Sequence, residues 1–139
     1  MLKEKEQKLI GADTGFFYRL KEGDKTALYA FQECDVVVSI LTLFELRRQS
    51  LKTNILEWED TIALLEKSTI VMDVTRETAK RAANIAHGTG IPAIDSLILS
   101  TFLIAGCPRI FTTDAHFELY QRKGIEIINL RKTKKTNRN

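Results

Sequence analysis

Short apolar runs alternate with amphipathic stretches along this chain. Leu9 to Ala12 is an apolar run that ends at Asp13 and predicts a first strand. Thr14 and Gly15 are expected to turn the chain, and Phe16-Phe17-Tyr18 to begin a helix that Gly23-Asp24 breaks. Lys25 to Gln32 predicts a second short helix. Val36-Val37-Val38 is the strongest strand signal, because β-branched residues fit a buried pleated surface. Ser39 follows as a candidate helix N-cap, and the helix from Ile40 to Gln49 carries Glu45.

Between Asn54 and Lys67, Ile55, Trp58, Ile62 and Leu65 recur at helical spacing and mark one core-facing stripe. Thr69 to Val74 predicts a third strand. From Arg76 to His87, Ala79, Ala82, Ala83 and Ala86 are expected to form a small-residue packing face, with Gly88 as the helix stop. Gly90-Ile91-Pro92 leads into a helix with Asp95 in its first turn. That helix is apolar nearly all round, so it is expected to be buried on most sides. Arg109-Ile110-Phe111 predicts a fourth strand, followed by Thr112-Thr113-Asp114, a short helix to Tyr120 and a last strand from Glu126 to Asn129. Strands that alternate with helices predict an α/β fold, with a parallel sheet covered on both faces.

A chain of 139 residues is one ordinary domain, large enough to need no disulfide staple. A composition 44% hydrophobic and 28% charged is that of a soluble globular protein. The net charge of +3 is unevenly spread. Five basic and no acidic residues follow Leu130, which leaves residues 1–130 at −2. We therefore expect a folded domain over 1–130 and a basic, disordered tail over 131–139. The tail is either a solubiliser or a flexible arm that touches phosphates. Cys34 and Cys107 lack metal-type spacing and are expected to be buried, reduced thiols, which fits the cytoplasm. The charged N-terminus has no signal-peptide core, and the uncharged stretch from Ser96 to Pro108 contains too few of such residues to span a membrane.

Four acids stand out: Asp13, Glu45, Asp95 and Asp114. In open α/β sheets, sites form outside the carboxyl ends of the strands. If the first and fourth strands are neighbours, all four acids can share one rim. Carboxylates gathered there would repel one another unless protonated or neutralised by a cation. A hard dication such as Mg²⁺ or Mn²⁺ suits such ligands and suits phosphodiester hydrolysis. Thr14, Thr112 and Thr113 could orient the carboxylates. The competing reading makes Asp13, Asp95 and Asp114 simple caps, and pairs Glu45 with Arg48 along its helix.

These segments resemble the PIN-domain nucleases, particularly the VapC-type toxins. The matching pieces are LIGADTGFF, VVVSILTLFELRR, IPAIDSLILSTFL and RIFTTDAHF, in the family's order over roughly residues 9 to 130. The resemblance implies a three-layer α/β/α sandwich and a Mg²⁺- or Mn²⁺-dependent ribonuclease. It places the family's principal acidic positions on Asp13, Glu45 and Asp95, and a more variable fourth on Asp114. It also implies a homodimer, and an antitoxin partner for the toxin members. A non-catalytic PIN-fold RNA-binding or scaffold module is the alternative, and the intact acids argue against it.

Other features add less. His116 could approach the site, but reads first as a surface histidine. Arg19, Arg47 and Arg48 either flank the groove and guide RNA phosphates or form a solvated face. Phe16 and Phe17 could stack a base, with core packing expected for at least one. No Gly-x-Ser-x-Gly elbow exists for a serine hydrolase. Gly88-Thr89-Gly90 follows a helix rather than a strand, so it is not a phosphate loop.

Overall fold

A computed structural model describes residues 8–53 and 57–131. In chain order the elements are β1 (Leu9–Ala12), α1 (Thr14–Lys21), α2 (Lys25–Glu33), β2 (Asp35–Ser39), α3 (Ile40–Thr53), α4 (Glu57–Ser68) and β3 (Ile70–Met72). Then come α5 (Arg76–Thr89), α6 (Ala93–Ala105), β4 (Arg109–Thr112), a 3-10 turn (Ala115–Leu119) and β5 (Glu126–Asn129). All five strands pair in parallel, in the order β3-β2-β1-β4-β5.

Alternation along the strands builds the two faces. Val36 and Val38 of β2 point into one core with Phe16, Phe17, Leu46, Trp58 and Phe111. Val37 points the other way and joins Ile85, Ile98, Leu99, Phe102 and Ile110. Helices α1 to α4 thus supply the first apolar layer, and α5 and α6 the second. The result is the expected α/β/α sandwich around a parallel sheet. Phe16 and Phe17 are both buried, packed edge to face with ring centroids 5.1 Å apart, so neither is available to stack a base.

The chain runs from β1 outward through β2 to β3, then returns to place β4 on the other flank of β1. That reversal opens a crevice beyond the carboxyl ends of β1 and β4, the usual location of sites in such sheets.

Several local expectations change. Thr14 and Gly15 are not a separate turn: they open α1, because the Asp13 carboxylate accepts the Phe16 N–H and caps the helix. The third strand covers only Ile70–Met72. Gly88 lies inside α5, and the stop is Gly90, whose φ of 83° is a left-handed conformation that favours glycine. The core face of α5 is Thr78, Ala82 and Ile85, while Ala79 and Ala83 face outward. Ser100 of α6 donates to the Thr78 carbonyl at 2.9 Å across that contact. Cys107 is buried, and Cys34 is only half-buried. The start of the α4 stripe at Ile55, the charged N-terminus over 1–7 and the basic tail over 132–139 lie outside the described residues. Among the described residues, no single helix is long and apolar enough to cross a membrane.

Candidate active site

A cleft of about 390 Å³ lies at that crevice. Asp13, Glu45, Asp95 and Asp114 all line it, together with Thr14, Gly15, Tyr18, Arg48, Lys52, Thr113 and Arg131. Each acid arrives from a different element. Asp13 follows the last residue of β1, and Asp114 lies two residues beyond β4. Glu45 comes from the second turn of α3, and Asp95 from the first turn of α6.

Asp13 is the deepest of the four, only 6% exposed. One of its oxygens caps α1 and the other accepts the Thr112 hydroxyl at 2.5 Å. It is therefore a cap and a cleft residue at once. Burial pushes its carboxyl up to about 7. The bonds from Thr112 and the Phe16 N–H oppose that rise, whereas the charges of Asp114 and Asp95 add to it. Asp95 is raised to about 6, first by burial, then by the charge of Asp114 and a hydrogen bond shared with it; His116 opposes this and Glu45 reinforces it. The carboxylates therefore feel one another across the cleft.

Glu45 accepts the Thr14 hydroxyl at 2.5 Å, and the Thr14 and Thr42 hydroxyl oxygens lie 3.2 Å apart, within hydrogen-bond reach. Among the described residues no ion pair joins Glu45 to Arg48. Thr112 accepts the Asp114 N–H at 2.9 Å while donating to Asp13, so one hydroxyl fixes both flanks of the crevice. Thr113 packs against Gly15, where an added Cβ would sit 1.9 Å from the threonine oxygen. Glycine is required there for α1 to approach the loop after β4.

The basic candidates divide. Arg48 lines the cleft. Arg47 instead pairs with Glu59 of α4, and Arg19 with Glu22 at 3.2 Å, and neither lines the cleft. Lys52 joins the rim without having been expected there, and Arg131, expected at the start of a disordered tail, lies among the described residues and lines the cleft as well. Lys52 stands seven residues after Glu45, on the same side of α3, and that spacing was the available signal. Tyr18, one turn after Thr14, also faces the cleft, and its hydroxyl is raised by burial and by Glu45.

His116 is both a surface histidine, 55% exposed, and a neighbour of the acids. Its Nδ1 lies 2.9 Å from Asp114 Oδ1 and 3.5 Å from Asp95 Oδ2. One potential ligand atom each from Asp95, Asp114 and His116 fall within 4.8 Å of one another. Asp13 and Glu45 line the same cleft but stand outside that tight trio. The donor set of carboxylate oxygens with an imidazole at the edge fits a divalent cation.

Several solved structures share this fold. A toxin–antitoxin complex from Klebsiella pneumoniae matches with a TM-score of 0.69 and 16% identity, over 84% of this chain and 94% of that one. VapBC2 from Rickettsia felis, solved bound to a promoter DNA fragment, gives 0.68 and 13% identity, over 86% and 96%. DNA-bound VapBC from Salmonella typhimurium gives 0.63 and 22% identity, over 85% and 95%. No curated protein matches the chain at a significant level. Residues 11–123 match the PIN domain, and a match across most of the sequence, on a sheet of this order, shows that the chain belongs to the PIN domain family, a family of nucleases.

Proposed function

We propose that this protein is a metal-dependent endoribonuclease that hydrolyses phosphodiester bonds in single-stranded or loop RNA. The observation that carries the reading is the cleft shared by Asp13, Glu45, Asp95 and Asp114 in a PIN-family chain. Asp95 and Asp114, with Asp13 and Glu45 beside them, would hold Mg²⁺ or Mn²⁺. A bound dication of this kind polarises the phosphate and makes water nucleophilic near neutral pH.

The chain's own residues do the rest. Thr112 and the start of α1 hold Asp13 in one orientation, and Thr14 does the same for Glu45. Arg48, Lys52 and Arg131 at the rim supply positive charge for the phosphates on either side of the scissile bond. A splayed single strand can lie along such a rim, whereas a stiff duplex cannot present its backbone as deeply.

The likeness to toxin–antitoxin and VapBC structures supports a further part of the proposal. The protein acts as the toxin of such a pair, as a cytoplasmic homodimer held by a small antitoxin that covers the cleft. The basic tail after Leu130 adds electrostatic affinity for RNA.

The test is cleavage of a labelled RNA hairpin with and without Mn²⁺, by the wild type and by Asp13→Asn. Stimulated cleavage is expected in the wild type and its loss in the variant. Equal cleavage by both removes Asp13 from the site, and no cleavage by the wild type favours a binding module instead.

A further inference from the structure

We propose that His116 is a nitrogen ligand in the metal site, and that it shifts selectivity from Mg²⁺ towards transition-metal dications. This rests on the metal-dependent reading above and adds to its carboxylate set a donor of different chemistry.

The geometry comes from the 3-10 turn. Asp114 caps that turn by accepting the His116 N–H at 2.8 Å. The tight turn folds the imidazole back over the carboxylate that caps it. Nδ1 then lies 2.9 Å from Asp114 and 3.5 Å from Asp95. Neighbouring ligands on an octahedral ion with bonds of about 2.1 Å are separated by ~3 Å. Both distances from Nδ1 are close to that spacing, and all three donor atoms lie within 4.8 Å of one another.

Ligand type then decides the preference. Mg²⁺ favours oxygen donors and keeps its waters, so an imidazole adds little to its binding. Cobalt, nickel and zinc bind imidazole well, and their affinity for mixed nitrogen–oxygen sites exceeds that of the earlier metals. In the metal-bound form the neutral ring carries its proton on Nε2 and presents Nδ1 to the ion. The side chain is 55% exposed, which leaves room for that tautomer to be solvated.

A histidine that is only a counter-ion for Asp95 and Asp114 would look the same without metal. The discriminating experiment uses the full chain, stripped of metal, titrated by calorimetry with Co²⁺ and separately with Mg²⁺. His116→Asn keeps a hydrogen-bond donor near the Nδ1 position but offers the ion only an oxygen. Co²⁺ affinity is expected to fall about tenfold or more, with a shifted visible absorption band, while Mg²⁺ affinity stays within about twofold. The Co²⁺-loaded wild type should also show a paramagnetically shifted, exchangeable imidazole N–H proton signal that the variant lacks. Unchanged Co²⁺ affinity and spectrum, or equal loss for both metals, overturns the assignment of His116. A wild type that binds neither ion overturns the metal-dependent reading itself.

Discussion

Thr112 donates its hydroxyl to Asp13 at 2.5 Å, so the last residue of β4 holds the carboxylate that follows β1. The same oxygen accepts the Asp114 N–H. The centre of the cleft is therefore tied together by a hydroxyl at the end of one strand and a carboxylate just past the end of its neighbour.

Replacing Asp13 with Asn removes a buried charge and keeps a group able to meet Thr112. With its carboxyl raised from 3.8 to about 7, the ionised side chain destabilises the metal-free fold at neutral pH. Asp13→Asn should therefore stabilise the metal-free protein, by about 2 to 4 kcal/mol above pH 7. Chemical denaturation in the presence of a chelator measures it. A loss of stability would mean that the carboxylate is needed for the fold.

The pH dependence has a definite sign. Asp13 and Asp95 are both raised, to about 7 and about 6, so between pH 4 and 7 the folded state binds more protons than the unfolded one. Their contribution is complete below 3.8 and is lost as pH rises through 6 and then 7. Metal-free protein should lose stability across that window, and a saturating divalent cation should flatten the curve by replacing the protons. Midpoints of urea unfolding at a series of pH values, with and without Mg²⁺, give both curves. A metal-free curve that rises from pH 4 to 7 would contradict the burial of these acids.

Thr14 donates its hydroxyl to Glu45, and in the proposed function that bond makes it a positioning residue. Thr14→Val removes the hydroxyl at nearly constant volume and leaves Glu45 free to rotate. Cleavage should fall about tenfold or more, chiefly in kcat, and Thr14→Ser should recover most of it. Steady-state kinetics on one RNA substrate separates this from a binding defect. Equal activity of the valine variant would show that Glu45 needs no such support.

Arg48 and Lys52 reach the rim from the same helix as Glu45. If they neutralise RNA phosphates, the double alanine variant binds RNA more weakly, and the slope of log affinity against log salt falls by about one to two. Arg47→Ala is the control, because that side chain is already paired with Glu59. A salt titration by fluorescence anisotropy reads both, and an equal effect at Arg47 would count against the rim assignment.

Much of this was legible in the sequence because strand ends are. An apolar run that stops at an acid, as at Asp13, or at two threonines and an acid, as before Asp114, reports its own polarity and hence the edge of the sheet. What failed depended on a choice among near equivalents. Arg47 and Arg48 are neighbours, but the turn of α3 sends one to α4 and the other to the cleft. Four alanines on α5 looked like a packing face, yet only Ala82 is fully buried, beside Thr78 and Ile85, while Ala79 and Ala83 face outward. His116 was close enough in sequence to Asp114 to approach the site, but only the tight cap brings its imidazole to the carboxylate, and no periodicity announces one.

The placement of β4 beside β1 has a consequence for how such a protein comes into being. Asp13 and Thr112 are separated by 99 positions. A chain still lacking β4 carries Asp13 and Glu45 without Thr112 and Asp114 opposite them. The cleft is thus assembled only once Thr112 and Asp114 exist and β4 has docked beside β1, so no early fragment of the chain can carry it.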